Sequence, residues 1–186
     1  MRKAAVFLDG AYLDGVTRGY GGMRVDLATL SDDLVGPQAE RIRTYYYYCP
    51  PFQGPSPSEE ERRRYAAAMT FFESLRLLPR FEVRLGFLAK RDDRFEQKGV
   101  DVLLSVDLVR MSWGKQIDVA VFVAGDSDFV PAVQAAKDAG VVTRLFYARS
   151  SVHNKLVKAC DDRAQLSQEL LAKFPRHPKT SGGAGP

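Results

Sequence analysis

The apolar run Val121-Phe122-Val123-Ala124 ends in Gly125-Asp126-Ser127-Asp128, two carboxylates around one hydroxyl. A second apolar run, Val6-Phe7-Leu8, ends in Asp9-Gly10, and Asp101 follows Lys98-Gly99 at the head of the apolar segment VDVLLSVDLVRMSW. Two unit charges about 4 Å apart repel by on the order of 4 kcal/mol at an effective dielectric near 20. A whole domain is stable by only about 5–15 kcal/mol. Four acids gathered in one cleft therefore need protons or a divalent cation. Carboxylate ligation without His or Cys suits Mg2+ or Mn2+, and such an ion activates water and steadies charge at a phosphoryl centre. Taken singly, the same acids have a plainer reading: Asp126 or Ser127 caps the helix containing Pro131, and Asp9-Gly10 makes a turn.

Whether the acids meet depends on the elements that carry them. KAAVFLDG reads as a buried strand, VDLATLSDDLVG as a helix stopped at Gly36-Pro37, and ERIRTYYYYCP as a strand ended by Pro50-Pro51. Alternation sends two of the four tyrosines 45–48 inward, as strand core. PFQGPSPS is a loop; Ser58 and Glu61 then form a capping box for a helix through about Leu78. Tyr65, Met69, Phe72, Leu75 and Leu78 recur along it at helical spacing. FEVRLGFLAK is a strand and RDDRFEQKG a charged turn. VDVLLSVDLVRMSW is apolar almost all round, which predicts a buried helix. IDVAVFVAG lacks alternation, as in a sheet covered on both faces. PAVQAAKDAG is a helix, VVTRLFYA a strand, and SVHNKLVKAC and DRAQLSQELL short helices, with His153 near a helix start.

Alternating strands and helices predict a doubly wound, mostly parallel α/β sheet. Ligands of such sheets bind beyond the carboxyl ends of the strands, where Asp9, Asp126 and Asp128 would gather. Asp107, about 120° round the helix from Asp101, reads as a more distant ligand or a buried partner for a basic group. Asp14, Asp92 and Asp93 read as loop acids.

The 186 residues suit one domain, and 45% hydrophobic with 27% charged is an ordinary folded composition. Three of the four net positive charges belong to the segment KFPRHPKTSGGAGP (Lys173, Arg176, Lys179), so the body is nearly neutral and the basic balance says little about a polyanion partner. Arg62-Arg63-Arg64 reads as a solvated helix face. Cys49 and Cys160 lack CxxC spacing, and His153 and His177 are the only histidines, which argues against thiolate zinc and histidine-rich metal sites. No apolar run is long enough for a bilayer, and the N-terminal run is too short for a signal peptide. The expectation is a cytoplasmic protein.

VFLDGAYL, KGVDVLLSVDLV and VAGDSDFVPAVQAAKDAGV, in that order, resemble the NYN domain, the LabA-like branch of the PIN-like nucleases, and LVKACDDRAQL resembles its closing helix. The likeness covers roughly residues 3–172. It implies a Rossmann-like three-layer α/β/α fold of PIN type, a nuclease domain over 1–172 and a disordered basic tail over 173–186. It also implies a metal-dependent ribonuclease, with Asp9, Asp101, Asp126 and Asp128 as ligands to Mg2+ or Mn2+ and RNA as substrate. In that reading Ser127 and Lys98 contact phosphate and Tyr12 stacks on a base. The family often has asparagine where this chain has Tyr12, which allows an alternative: a weak or inactive module that binds RNA or a protein partner. A homodimer is a further expectation. A haloacid-dehalogenase-type phosphatase would need an acid two residues after Asp9, where Ala11 stands, and no GxGxxG follows the first strand.

Overall fold

Strands that are apolar on both faces must be covered on both, and two helical layers do so here. The computed structural model describes residues 1–91 and 94–176, with only the backbone described for 89–91 and 94–97. Asp92, Asp93, His177 and Lys179 lie outside the described residues. In chain order the elements are β1 (Arg2–Asp9), α1 (Gly10–Gly19), α2 (Leu27–Val35), β2 (Ala39–Tyr48) and α3 (Glu59–Arg76). Then come β3 (Phe81–Leu85), β4 (Phe87–Arg91), β5 (Arg94–Lys98), α4 (Val100–Trp113) and β6 (Val119–Val123). The chain continues through α5 (Val130–Asp138), β7 (Val142–Tyr147), α6 (Asn154–Ala159), β8 (Asp162–Gln165) and α7 (Gln168–Leu171).

The main sheet has the order β3-β2-β1-β6-β7-β8, and all its pairings are parallel. Strand order reverses between β1 and β6, so the topological switch lies where Asp9 and Gly125-Asp126 emerge. Along β1, Ala4, Val6 and Leu8 face one core cluster while Ala5 and Phe7 face the other. The tyrosines split the same way: Tyr46 and Tyr48 pack into the first layer, Tyr45 and Tyr47 into the second. Both faces of β2 are thus interior, so all four rings pack rather than only two.

Several elements depart from the sequence reading. Helix α1 replaces an expected turn; its glycines hide it from propensity, and Asp9 at its start with Leu13 and Val16 buried stabilises it. FEVRLGFLAK divides at Gly86: β3 joins the sheet, while β4 turns away to pair antiparallel with β5, the stretch read as a charged turn. A Cβ on Gly86 would lie 2.5 Å from the Lys98 carbonyl oxygen, so the hairpin base closes only on glycine. DRAQLSQELL begins as β8, a border strand with every side chain exposed and no apolar pattern to reveal it. Helix α4 is not buried all round, since Val102, Val106 and Trp113 are exposed. The body also runs past residue 172: Asp26 N donates to the Phe174 carbonyl (2.8 Å), Arg176 N donates to the Arg24 carbonyl (2.9 Å), and the Arg176 guanidinium lies over Phe71.

Other features agree with the sequence. Ser58 and Glu61 form the capping box of α3, Arg63 and Arg64 are exposed and pair with Glu60, and His153 caps α6. Among the described residues no helix is long and apolar enough to cross a membrane. Asp107 is buried and serves a basic pair. Its carboxylate accepts from Tyr47 Oη (3.1 Å), Arg84 Nε (3.3 Å) and Arg110 Nη2 (3.2 Å). Asp107→Ala should therefore lower stability by about 2–4 kcal/mol, because a buried phenol and a guanidinium lose their acceptor. Urea unfolding measures this, and an unchanged midpoint would show the network to be dispensable.

Candidate active site

Four acids from three neighbourhoods converge beyond the carboxyl ends of β1 and β6. Asp9 closes β1 and caps α1, its Oδ1 accepting from Tyr12 N at 3.0 Å. The next residue must be glycine, since a Cβ on Gly10 would meet the Tyr46 ring at 2.4 Å. Asp126 caps the short 3-10 turn Ser127–Phe129, its Oδ1 accepting from Asp128 N at 3.0 Å, and that turn leads into α5. Asp101 stands in the first turn of α4, whose left-handed Gly99 (φ 89°) swings the chain out of the β4–β5 hairpin. Lys98 is exposed at the hairpin base, and Ser127 is half-buried in the turn. The capping role and the clustering of the acids therefore coexist.

The electrostatics show that the group is coupled. Burial pushes the Asp9 carboxyl up to about 6; the negative charges of Asp101 and Asp126 add to this, and the Tyr12 amide opposes it. Asp101 is also raised, first by burial and then by Asp126 and Asp128. None of the ion pairs among the described residues reaches any of the four. By donor chemistry they fit a hard dication: all-oxygen and anionic. By placement they do not form a ready cage, because no three His, Cys, Asp or Glu among the described residues are grouped closely enough to hold an ion. A cation here would have to draw the rim side chains together.

Tyr12 has a structural role in the fold. Its hydroxyl accepts from Ala148 N (2.9 Å), and its ring lies against Gly125, where a Cβ would be 2.4 Å from Cε2. It fastens α1 to the ends of β6 and β7 through its hydroxyl and one edge of its ring. His153 N donates to the Gly125 carbonyl (2.8 Å), holding the same corner from the other side. Asp14, read as a loop acid, lies on α1 and accepts from Tyr48 Oη at 2.8 Å. No signal for that contact existed once α1 was missed.

Fold and edge together define a Rossmann-like, PIN-like three-layer α/β protein with an acidic switch point. The family model of the NYN domain matches residues 3–167, nearly the whole chain. The chain belongs to the NYN domain family. The uncharacterized protein y4oD of Sinorhizobium fredii (strain NBRC 101917 / NGR234) is 31% identical over 96 residues, covering 50% of this chain and 44% of that protein. The match thus spans less than half of that relative's length. The crystal structure of VPA0982 from Vibrio parahaemolyticus RIMD 2210633, a protein of unknown function, aligns with a TM-score of 0.63 over 94% of this chain and 96% of that one. At 16% identity that likeness shows the fold alone.

Asp9 gives the site a pH signature. Its folded value of about 6 exceeds the ordinary 3.8, so the stability it contributes is full below the lower value and is lost as pH rises through the upper. Asp9→Asn keeps the capping oxygen without the charge. In EDTA it should be more stable than wild type by about 1–3 kcal/mol at pH 8, the gap closing towards pH 4. Parallel denaturation curves at every pH would contradict the coupling.

Proposed function

We propose that this chain is a metal-dependent ribonuclease, cleaving RNA phosphodiester bonds internally with Asp9, Asp101, Asp126 and Asp128 as ligands to Mg2+ or Mn2+. The supporting observation is the coupled acid group at the switch point, with Asp9 raised to about 6 by burial and by its acidic neighbours. When bound, a dication lowers the pKa of a water and offsets charge developing on the phosphoryl oxygens. The half-buried Asp9 is the fixed ligand, anchored by its cap. Asp126 is exposed but likewise held by its own cap, whereas Asp101 and Asp128 are exposed and supply oxygens by rotation about their side chains. Ser127, in the turn between two of them, contacts a phosphate oxygen, and Lys98 adds positive charge at the hairpin base. Tyr12 holds the edge in shape.

A second reading, an inactive module that binds RNA or a protein through the same cleft, is favoured by the lack of a closed acid cage among the described residues. One experiment separates them. Incubation with mixed structured and single-stranded RNA and DNA, in Mn2+, Mg2+ or EDTA, should give RNA fragments only with metal. Asp126→Asn should reduce cleavage to background while leaving the thermal midpoint within a few degrees, the residue being exposed. RNA retained but intact in Mn2+ would establish the module reading, and equal cleavage of DNA would refute the assignment to RNA.

A further inference from the structure

Helix α4 has a second apolar face that stands exposed among the described residues. Among the described residues six large apolar side chains are exposed, and Val102, Val106 and Trp113 of α4 account for three, at 64, 56 and 62%. With the partly buried Val109 they recur at intervals of four, three and four residues, the spacing of a coiled-coil seam. The opposite face, Val100, Leu104, Leu108 and Met111, packs into the core. Beside the outer stripe runs a groove walled by Val106, Val109, Pro131 and Ala132, with Arg110 and Asp128 at its rim.

We propose that this face is the seam of a homodimer in which two copies of α4 pack antiparallel, about a two-fold axis at the level of Asp107 and Leu108. That axis sets Val102 against Trp113 of the partner subunit and Val106 against Val109 of the partner subunit. Small meets large at the ends, valines meet in the middle, and each contact occurs twice, as an isologous interface requires. The charges select this direction. Asp101, coupled to Asp128, marks the amino end of the stripe, whereas the exposed Lys115 marks its carboxyl end. Antiparallel pairing lays each end on its opposite and opposes the helix dipoles; parallel pairing would set Asp101 on Asp101.

An RNA strand fits the face poorly, because it is apolar, begins at two aspartates, and has its Arg110 guanidinium already bound by Asp107. Three side chains more than half exposed along one stripe make a small patch of the kind that marks an interaction site. A standard interface covers roughly 800 Å2 per partner, so the association is concentration-dependent rather than obligate. The pairing also brings the Gly114–Lys115 turn of the partner subunit over the first turn of α4, so each acid cluster gains a positive charge from the other copy. The inference does not rest on the nuclease reading.

Sedimentation velocity of the full chain, from low to several hundred micromolar, tests it. The average mass should rise from 20.7 kDa towards twice that value. Val106→Glu and Trp113→Ser should each remain monomeric with an unchanged circular dichroism spectrum and thermal midpoint, because both side chains are exposed. Direction is read by oxidative cross-linking; the native Cys49 and Cys160 are buried and leave a low background. A mixture of Val102→Cys and Trp113→Cys chains should give the mixed dimer, and neither variant alone should. A monomer at every concentration would overturn the proposal, as would efficient linking of Val102→Cys to itself. Loss of RNA binding in Val106→Glu without any change in mass would assign the face to nucleic acid and overturn it equally.

Discussion

Negative charge is concentrated where β1 and β6 run side by side, and it stays there because both strand ends are anchored more firmly than the carboxylates repel. Each anchor is built from the acid itself. Asp9 and Asp126 accept from backbone amides at 3.0 Å, so the groups that make the edge electrostatically expensive also begin the helical turns that follow. The surrounding sheet is rigid in the ordinary way, with β1 paired to a neighbour on each side and buried from Ala4 to Leu8.

The corner around Gly125 extends this logic. The Tyr12 ring, the Ser151 carbonyl and the His153 amide all approach one glycine, leaving no space for a Cβ. Three strand ends and two helix starts are thereby fixed relative to one another, while the carboxylates of Asp101 and Asp128 stand in solvent. Rigid backbone beneath free side chains suits a site that is completed by what it binds.

Much of this was legible beforehand. The parallel sheet, the capping box and the shared edge of the acids follow from apolar runs and their terminators, which act locally; for Asp107 the partnership with basic groups was one of two readings. Asp101 was placed with the others because a carboxylate at the head of an apolar helix needs a reason to be there. What could not be read depended on contacts distant in sequence. Helix α1 is held by tertiary burial against the propensity of its glycines, and β8 is held by pairing with β7 and not by its own polar residues. Tyr12 looked like a free aromatic because its partner, the Ala148 amide, is far along the chain. The two-sided apolar pattern of α4 was misread as full burial, since composition does not say which side of a helix the rest of the chain covers.

The borders of the sheet carry a different consequence. On one side β8 offers Asp162, Arg163 and Gln165 to water; on the other β3 bears Glu82 and Arg84, with Arg43 pairing to Glu82 at 3.1 Å. A foreign strand docking at either margin would have to strip solvent from charged groups, which discourages runaway fibre-like growth. Six strands are accordingly where this ribbon stops.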